Sequence, residues 1–256
     1  MTRIILSGCN GKMGRVITSI VRERKDCVIV AGFDINFELK QEYPVYMEPE
    51  SFDGNADVII DFSHPAFFGR LLAFARARGI PAVIATTGLS EEQLASLREA
   101  SGEVAVFNSA NMSLGVNLIC ELARRAAAVL SDRFDVEIVE MHHNQKIDAP
   151  SGTALMIADA VSKGMTQQPQ LVYDRHDERK KREKNEIGIH SVRGGTIVGE
   201  HEVIFAGQDE VIRISHSAMS KQIFANGAVN AALFLSGRQP GLYSMNDLLS
   251  FTGGCK

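Results

Sequence analysis

From Ile4 to Phe107 the chain repeats one unit, a short apolar run followed by helical spacing, and this repetition restricts its fold more than any other feature. The apolar runs are residues 3 to 8, Cys27 to Phe33, Ala56 to Phe62, Ile80 to Ala85 and Val104 to Phe107. Helices are expected through Val16-Ile17-Ile20-Val21, near 65 to 78 and near 90 to 100. Strands that are apolar at consecutive positions are buried on both faces, and helices between them act as crossovers. The spacing therefore predicts a Rossmann-type α/β unit, a parallel sheet with helices on both faces. Ligands in such sheets bind beyond the carboxyl ends of the strands. The residues that fall there are the Gly8 loop, Asp34, Phe62-Ser63-His64, Ala85-Thr86-Thr87 and Ser109-Ala110-Asn111.

The first of these turns, Gly8-Cys9-Asn10-Gly11-Lys12-Met13-Gly14, is a GxxGxxG. Its glycines permit a tight turn and let a pyrophosphate approach a helix N-terminus, although glycines also mark ordinary strand-to-helix turns. The second strand ends at Asp34, about 20 residues beyond Gly14, where a dinucleotide site places the acid that binds the adenosine ribose hydroxyls. An acid there repels a 2′-phosphate, and Ile35 and Asn36 supply no guanidinium to receive one, so NADH is expected over NADPH. The structural alternative for Asp34 is an Asx-turn at the strand end. His64, before Pro65, reads as a loop residue at the cofactor rim.

After a helix near 114 to 130 the pattern changes. Strand-like segments follow one another at 135 to 141, 187 to 192, 197 to 206 and 210 to 217, with one helix from about 152 to 163. Alternation is plain in His201-Glu202-Val203-Ile204-Phe205 and in Glu210 to His216. This predicts an α+β domain with an open, largely four-stranded sheet, one face of which is covered by copies of the chain in a homo-oligomer. Residues from about 222 return to helix. The expected domains are 1–113, completed by 222–256, and 114–221. Within the second, Asp174 to Glu186 carries Arg175, Arg179, Lys180, Lys181, Arg182 and Lys184. Acids are interleaved and no aromatic follows Tyr173, which favours a solvated helix or loop over a nucleic-acid patch.

The stretch from His142 to Ala154, HHNQKIDAPSGTA, sets two imidazoles and an amine before a Ser-Gly-Thr helix start. Backbone N–H groups in a first helical turn lack internal partners and carry the positive end of the macrodipole, so Ser151, Gly152 and Thr153 can hold a carboxylate or phosphate. Taken singly, His142 and His143 also fit hydrogen-bonding residues at a strand end, Lys146 a solvated turn and Ser151 a plain N-cap. Together they place proton donors beside an anion site.

A net charge of −4 gives no global attraction to nucleic acid or an anionic membrane, so an anionic substrate must be drawn by local charge. Cys9, Cys27, Cys120 and Cys255 are scattered without a CxxC pair or zinc spacing, so no metal site is expected and a reduced, cytoplasmic setting is. The N-terminus runs directly into an apolar strand, unlike a signal peptide, and no apolar run approaches the ~20 residues needed to span a bilayer. Two rival readings are an aldehyde-type dehydrogenase with a nucleophilic Cys and a dinucleotide-sensing regulator. Cys120 lies in an apolar helical stretch with no obvious activating base, and a sensor has no need of His142, Lys146 and Ser151 together.

The combination resembles the dihydrodipicolinate reductase (4-hydroxy-tetrahydrodipicolinate reductase) family over nearly the whole chain. The most specific segment, Glu140 to Ala154, is similar to the family signature E-x-H-H-x-x-K-x-D-A-P-S-G-T-A. Supporting matches are Gly8 to Gly14, Ala85 to Gly88, Ser109 to Ser113, Ile187 to Gly195 and Phe224 to Ala228. The resemblance implies a cofactor domain, a substrate domain that also forms a homotetramer, and hinge closure between them. It implies hydride transfer from NADH or NADPH, reducing 4-hydroxy-tetrahydrodipicolinate to tetrahydrodipicolinate with loss of water, on the diaminopimelate route to lysine. By the same resemblance His142 and Lys146 match catalytic proton donors, and His143, Lys146, Ser151, Gly152 and Thr153 match substrate-binding positions. Gly8, Cys9, Asn10, Gly11, Lys12, Met13, Asp34, Ala85, Thr86, Thr87, Ser109, Ala110, Asn111 and Met112 match cofactor contacts. Two departures stand out. Many relatives carry Arg where this chain has Ile35, and the basic run at 175 to 184 replaces a small, glycine-containing connection.

Overall fold

The computed structural model describes residues 1–37 and 39–253. In chain order the first half forms β1 (Thr2–Ser7), α1 (Lys12–Arg22), β2 (Cys27–Phe33), β3 (Val45–Tyr46), β4 (Val58–Asp61), α2 (Pro65–Arg78), β5 (Ala82–Ile84), α3 (Glu91–Ala100) and β6 (Ala105–Asn108). Then follow α4 (Leu114–Leu130), β7 (Asp135–His142), α5 (Gly152–Gly164), β8 (Gln170–Val172), β9 (Glu186–Arg193), β10 (Gly199–Ala206), β11 (Val211–Ala218), α6 (Gln222–Leu235), β12 (Gly241–Tyr243) and α7 (Met245–Gly253). These elements separate into two compact units, one of Met1–Leu114 with the chain from Gln222 onward, the other of Gly115–Lys221.

The first unit is built on a seven-stranded, all-parallel sheet in the order β12-β6-β5-β4-β1-β2-β3. Its strands distribute consecutive apolar residues to opposite faces. Ile4, Leu6, Val58, Ile60, Val83, Ala105 and Phe107 join one core with Ile17 and Val21 of α1 and Ala225, Ala228 and Val229 of α6. Ile5, Ile59, Ala82, Ile84 and Val106 join the other with Phe68, Leu71 and Leu72 of α2 and Leu97 of α3. Period-two alternation with both faces buried is why these strands read as unbroken apolar runs. At the start of α2 the His64 Nδ1 accepts the Ala66 N–H at 3.2 Å, and Pro65 occupies the first turn, where a missing N–H costs nothing. Strand order reverses between β1 and β4, which fixes a crevice beyond their carboxyl ends.

The second unit holds a mixed sheet in the order β11-β10-β7-β9-β8. It has five strands; the short β8, parallel to β9, adds to the four expected. Strand β7 pairs parallel to β9 and antiparallel to β10. One face buries Val136, Ile138, Ile187, Ile189, Val203 and Phe205 beneath Val116, Ile119 and Cys120 of α4 and Ile157, Ala158 and Val161 of α5. The opposite face carries Glu137, Val139, Met141, Glu202, Ile204 and Arg213, none of them fully buried.

The run from Asp174 is loop as far as Asn185, with Glu186 opening β9, and its expected solvation is corrected at two residues. Arg175 pairs with Glu186 at 2.5 Å and Glu137 at 3.2 Å. Arg182 pairs with Asp135 at 2.7 Å and donates to the carbonyls of Val136 and Glu186 at 3.2 and 2.7 Å. Acids on β7 and β9 thus take up much of the positive charge within the same unit.

Candidate active site

In the first unit the turn after β1 is shaped for close approach. Gly8 has φ +76°, and a Cβ there would stand 2.7 Å from the carbonyl oxygen of Phe62; a Cβ on Gly14 would collide with the carbonyl of Gly8. Gly11 caps α1 without a side-chain hydrogen bond, so the N–H groups of its first turn remain for an anion. Asp34 does two things at once. Its Oδ1 accepts from Asn36 N at 2.9 Å, closing an Asx-turn, while its Oδ2 accepts from Asn10 N at 2.8 Å and braces the glycine loop. Asn10 also donates to Asn36 O, and Gln41 donates to Asn10 Oδ1 at 2.6 Å.

Two cavities lie beyond the strand ends. One of about 730 Å³ is lined by Gly8, Asn10, Gly11, Asp34, Ile35, Asn36, His64 and Thr87, among others. The other, of about 720 Å³, is lined by Met13, Ala85, Thr86, Thr87, Ser109, Ala110, Asn111 and Met112 with Phe224. Phe62, Ser63 and Thr87 line both, so together the cavities offer an elongated ligand one continuous set of walls. Of the residues expected to contact cofactor, Cys9 and Lys12 do not line these walls: Cys9 is buried against Gly32, and Lys12 is exposed at the start of α1. A residue the sequence did not mark lies under both cavities. Asp61, fully buried at the end of β4, accepts from Thr86 Oγ1 at 2.7 Å and Ser63 N at 3.1 Å, tying the ends of β4 and β5 together. The cradle, the acid at the second strand and the paired cavities fit a dinucleotide.

In the second unit His142 ends β7, and alternation places Glu140 on the same face of the strand. His142 Nδ1 lies 2.6 Å from Glu140 Oε2. Arg193, at the end of β9, grips the carboxylate with two nitrogens, at 2.8 Å to Oε2 and 2.7 Å to Oε1, and also donates to Asp148 O at 2.7 Å. Glu140 Oε1 further accepts from Ser151 N at 3.1 Å. Burial pushes the Glu140 carboxyl up, but hydrogen bonds from Arg193, Ser191, His142 and Ser151 outweigh it and bring the group down to about 2. It is a carboxylate throughout the neutral range.

Ser151 caps α5, its Oγ accepting Ala154 N at 3.1 Å and lying 3.0 Å from His201 Nε2. His201 stacks edge-on to His142 at 5.2 Å between ring centroids. Burial first, then the neighbouring His142, brings the His201 imidazole down to about 4, so it is neutral. Ser151 is therefore engaged within the protein through both its N–H and its hydroxyl, at the start of the helix whose first turn carries Gly152 and Thr153. Lys146 pairs with Asp148 at 2.8 Å, and His143 is half-buried in the same loop. His142 and the start of α5 are thus brought together through Glu140; Arg193 and His201 complete the cluster and carry no local sequence signal.

Residues 2–112 match the family described as "Dihydrodipicolinate reductase, N-terminus", and residues 115–249 match "Dihydrodipicolinate reductase, C-terminus". The chain belongs to the dihydrodipicolinate reductase family. Among relatives, a 4-hydroxy-tetrahydrodipicolinate reductase of Caldanaerobacter subterraneus is 54% identical over 250 residues, covering 97% of this chain and 98% of that protein. The Clostridium novyi protein of the same name is 46% identical over 249 residues, covering 97% and 98%. Among solved structures, a dipicolinate-bound dihydrodipicolinate reductase from Paenisporosarcina sp. TG-14 superposes with a TM-score of 0.82 at 27% identity, covering 96% of this chain and 99% of that one.

Membership in this reductase family agrees with the state of the cysteines. Burial pushes Cys9 up to about 12, Cys27 to about 11 and Cys120 to about 12, so none of the three is an activated nucleophile; Cys255 lies outside the described residues. Among the described residues no helix is long and apolar enough to cross a membrane.

Proposed function

We propose that the protein reduces 4-hydroxy-tetrahydrodipicolinate to tetrahydrodipicolinate with loss of water, on the diaminopimelate route to lysine, as a cytoplasmic homotetramer. The observation that carries this reading is the carboxylate-bound His142 beside the start of α5, a proton donor next to an anion cradle in a chain whose relatives bear that activity. The named ligand of the Paenisporosarcina structure, a planar cyclic dicarboxylate, has the charge that such a cradle would receive.

The chain's own residues divide the work. Gly8, Asn10, Gly11, Met13, Asp34, Ala85 to Thr87 and Ser109 to Met112 hold a nicotinamide dinucleotide along the two cavities, with Cys9 and Lys12 completing the loop behind them. When bound, its reduced nicotinamide supplies the hydride. Asp34 meets the adenosine ribose and disfavours a 2′-phosphate, so NADH is preferred to NADPH. Ser151, Gly152 and Thr153 at the start of α5 take one substrate carboxylate, and His143 and Lys146 contribute to binding the dianion. Hydride addition to a conjugated imine leaves negative charge on carbon or nitrogen, and His142 with Lys146 quenches it, a role in which general acids contribute about 10²- to 10⁴-fold.

The test is loss of NADH absorbance with freshly generated substrate. His142→Gln should lower kcat with little change in KM, whereas Lys146→Ala should harm both. Near-wild-type turnover in either variant removes that residue from its role. A folded wild-type protein that binds NADH and never oxidises it would favour a sensor instead.

A further inference from the structure

We propose that Glu140, clamped by Arg193, is a positioning residue that fixes the tautomer of His142, holding the proton on Nδ1 so that Nε2 is the atom that exchanges protons with substrate. This rests on the proposed role of His142 and adds to it the atom used and the residue that selects it.

Arg193 and Ser151 N bond to Oε1 of the Glu140 carboxylate, Arg193 and His142 Nδ1 bond to Oε2, and the Ser191 side chain adds a further hydrogen bond. Ionised, it can only accept, so the imidazole nitrogen facing it at 2.6 Å must carry a hydrogen. The bidentate guanidinium keeps the carboxyl at about 2, which prevents Glu140 from taking the proton itself. His142 therefore cycles between two forms that both keep Nδ1–H on Glu140. The imidazolium gives up its Nε2 proton to the reduced substrate, and the neutral ring regains one at the same nitrogen. The paired strand keeps that nitrogen clear. Glycine occupies position 199 on β10, where a Cβ would stand 3.1 Å from His142 Nε2.

A structural reading makes Glu140 merely a tie between β7, β9 and α5, and the two readings differ in measurable ways. In ¹⁵N-histidine-labelled wild-type protein, at a pH where the ring is neutral, the His142 signals, assigned by their loss in His142→Gln, should show a protonated Nδ1 and a bare Nε2. A neutral ring protonated on Nε2 overturns the proposal and requires no variant to fold. In kinetics, Glu140→Gln, whose amide oxygen can still accept from Ser151 N while His201 holds the Ser151 hydroxyl, should lower kcat at least about tenfold while substrate KM moves less than about threefold. In a His142→Gln background the same change should cost nothing further, because a residue that acts through His142 has nothing left to position. A full additional loss in the double variant marks a structural tie and overturns the proposal. If His142→Gln itself turns over normally, the reading of His142 fails. If His142→Gln is impaired and Glu140→Gln is not, only the present inference fails.

Discussion

Acid should weaken the second unit through Glu140, by an amount the site fixes. The carboxyl is fully buried and sits at about 2, against 4.5 for an ordinary glutamate. A folded-state value below the unfolded one adds stability that is complete above the unfolded value and disappears as pH falls toward the folded one. Here the full contribution is about 3 kcal/mol at neutral pH, of which about 2 kcal/mol is gone by pH 3. The perturbation is Glu140→Gln, which cannot titrate. It should leave the unit weaker at pH 6.5, by the roughly 3–5 kcal/mol typical of stripping one partner from a buried pair, because Arg193 then lacks its anion. It should also be less sensitive to acid. Cys120, buried in α4, is a built-in reporter of this unit, whereas Cys9 and Cys27 report on the other. Labelling with a pyridyl disulfide, which reacts with thiols in acid, across a urea series at pH 6.5 and pH 3 gives each unit's stability by mass spectrometry. Carboxyls such as Glu121, Asp148 and Glu186, also held below their usual values, and His201, which burial brings down to about 4, titrate in both proteins, so their main contributions cancel in the comparison. The wild-type fall from pH 6.5 to pH 3 should exceed that of the variant by about 2 kcal/mol at Cys120 and be equal at Cys9 and Cys27. Equal falls at Cys120 would refute the reasoning.

In the first unit, Thr86→Val removes the hydroxyl that donates to the buried Asp61 at 2.7 Å. It should cost about 1–3 kcal/mol in the Cys9 and Cys27 labelling series, as expected for a buried acceptor that has lost a partner; a change under about 0.5 kcal/mol shows that Ser63 N suffices. Asp34→Ala frees both Asn10 N and Asn36 N and takes away the charge that disfavours a 2′-phosphate. The NADH-to-NADPH affinity ratio, read by fluorescence titration of each, should shift toward NADPH by at least about tenfold, or 1.4 kcal/mol. An unchanged ratio removes Asp34 as the discriminating residue.

What the sequence makes legible follows from how burial constrains it. Strands largely covered on both faces read as near-continuous apolar runs, so Cys27–Phe33 is bounded to the residue, and α2 is bounded by Pro65 at its start and Gly79 at φ +62° beyond its end. Strands β3, β8 and β12 are two or three residues long, too short to show a period, and form because a neighbouring strand presents a free edge. In the site, Glu140 is legible in principle, since two positions along a strand share a face. Arg193 is not, because its partner lies 53 residues away and is met only through the parallel pairing of β7 with β9. His201 likewise reaches Ser151 only because antiparallel pairing sets it opposite Glu140. The helix start at Ser151 is evident from sequence, but the commitment of its N–H to Glu140 is a tertiary fact.

The two oxygens of Glu140 also tie the proposed acid and the proposed anion cradle together within one short stretch of chain. Oε2 holds His142 at the end of β7, and Oε1 holds Ser151 at the start of α5, eleven residues on. Ser151 is fixed a second time through its hydroxyl by His201. The first turn of α5, with Gly152 and Thr153, therefore cannot rotate relative to the imidazole unless Glu140 or His201 releases Ser151. On independent loops, the proton donor and the carboxylate site would each have to be ordered by the substrate, at about 0.5–1.5 kcal/mol per immobilised side chain. With one buried carboxylate bonded to both, that ordering is completed when the protein folds. In the proposed reading, binding free energy can then be used to orient the substrate, and the distance between its carboxylate and the atom to be protonated is set by the protein in advance.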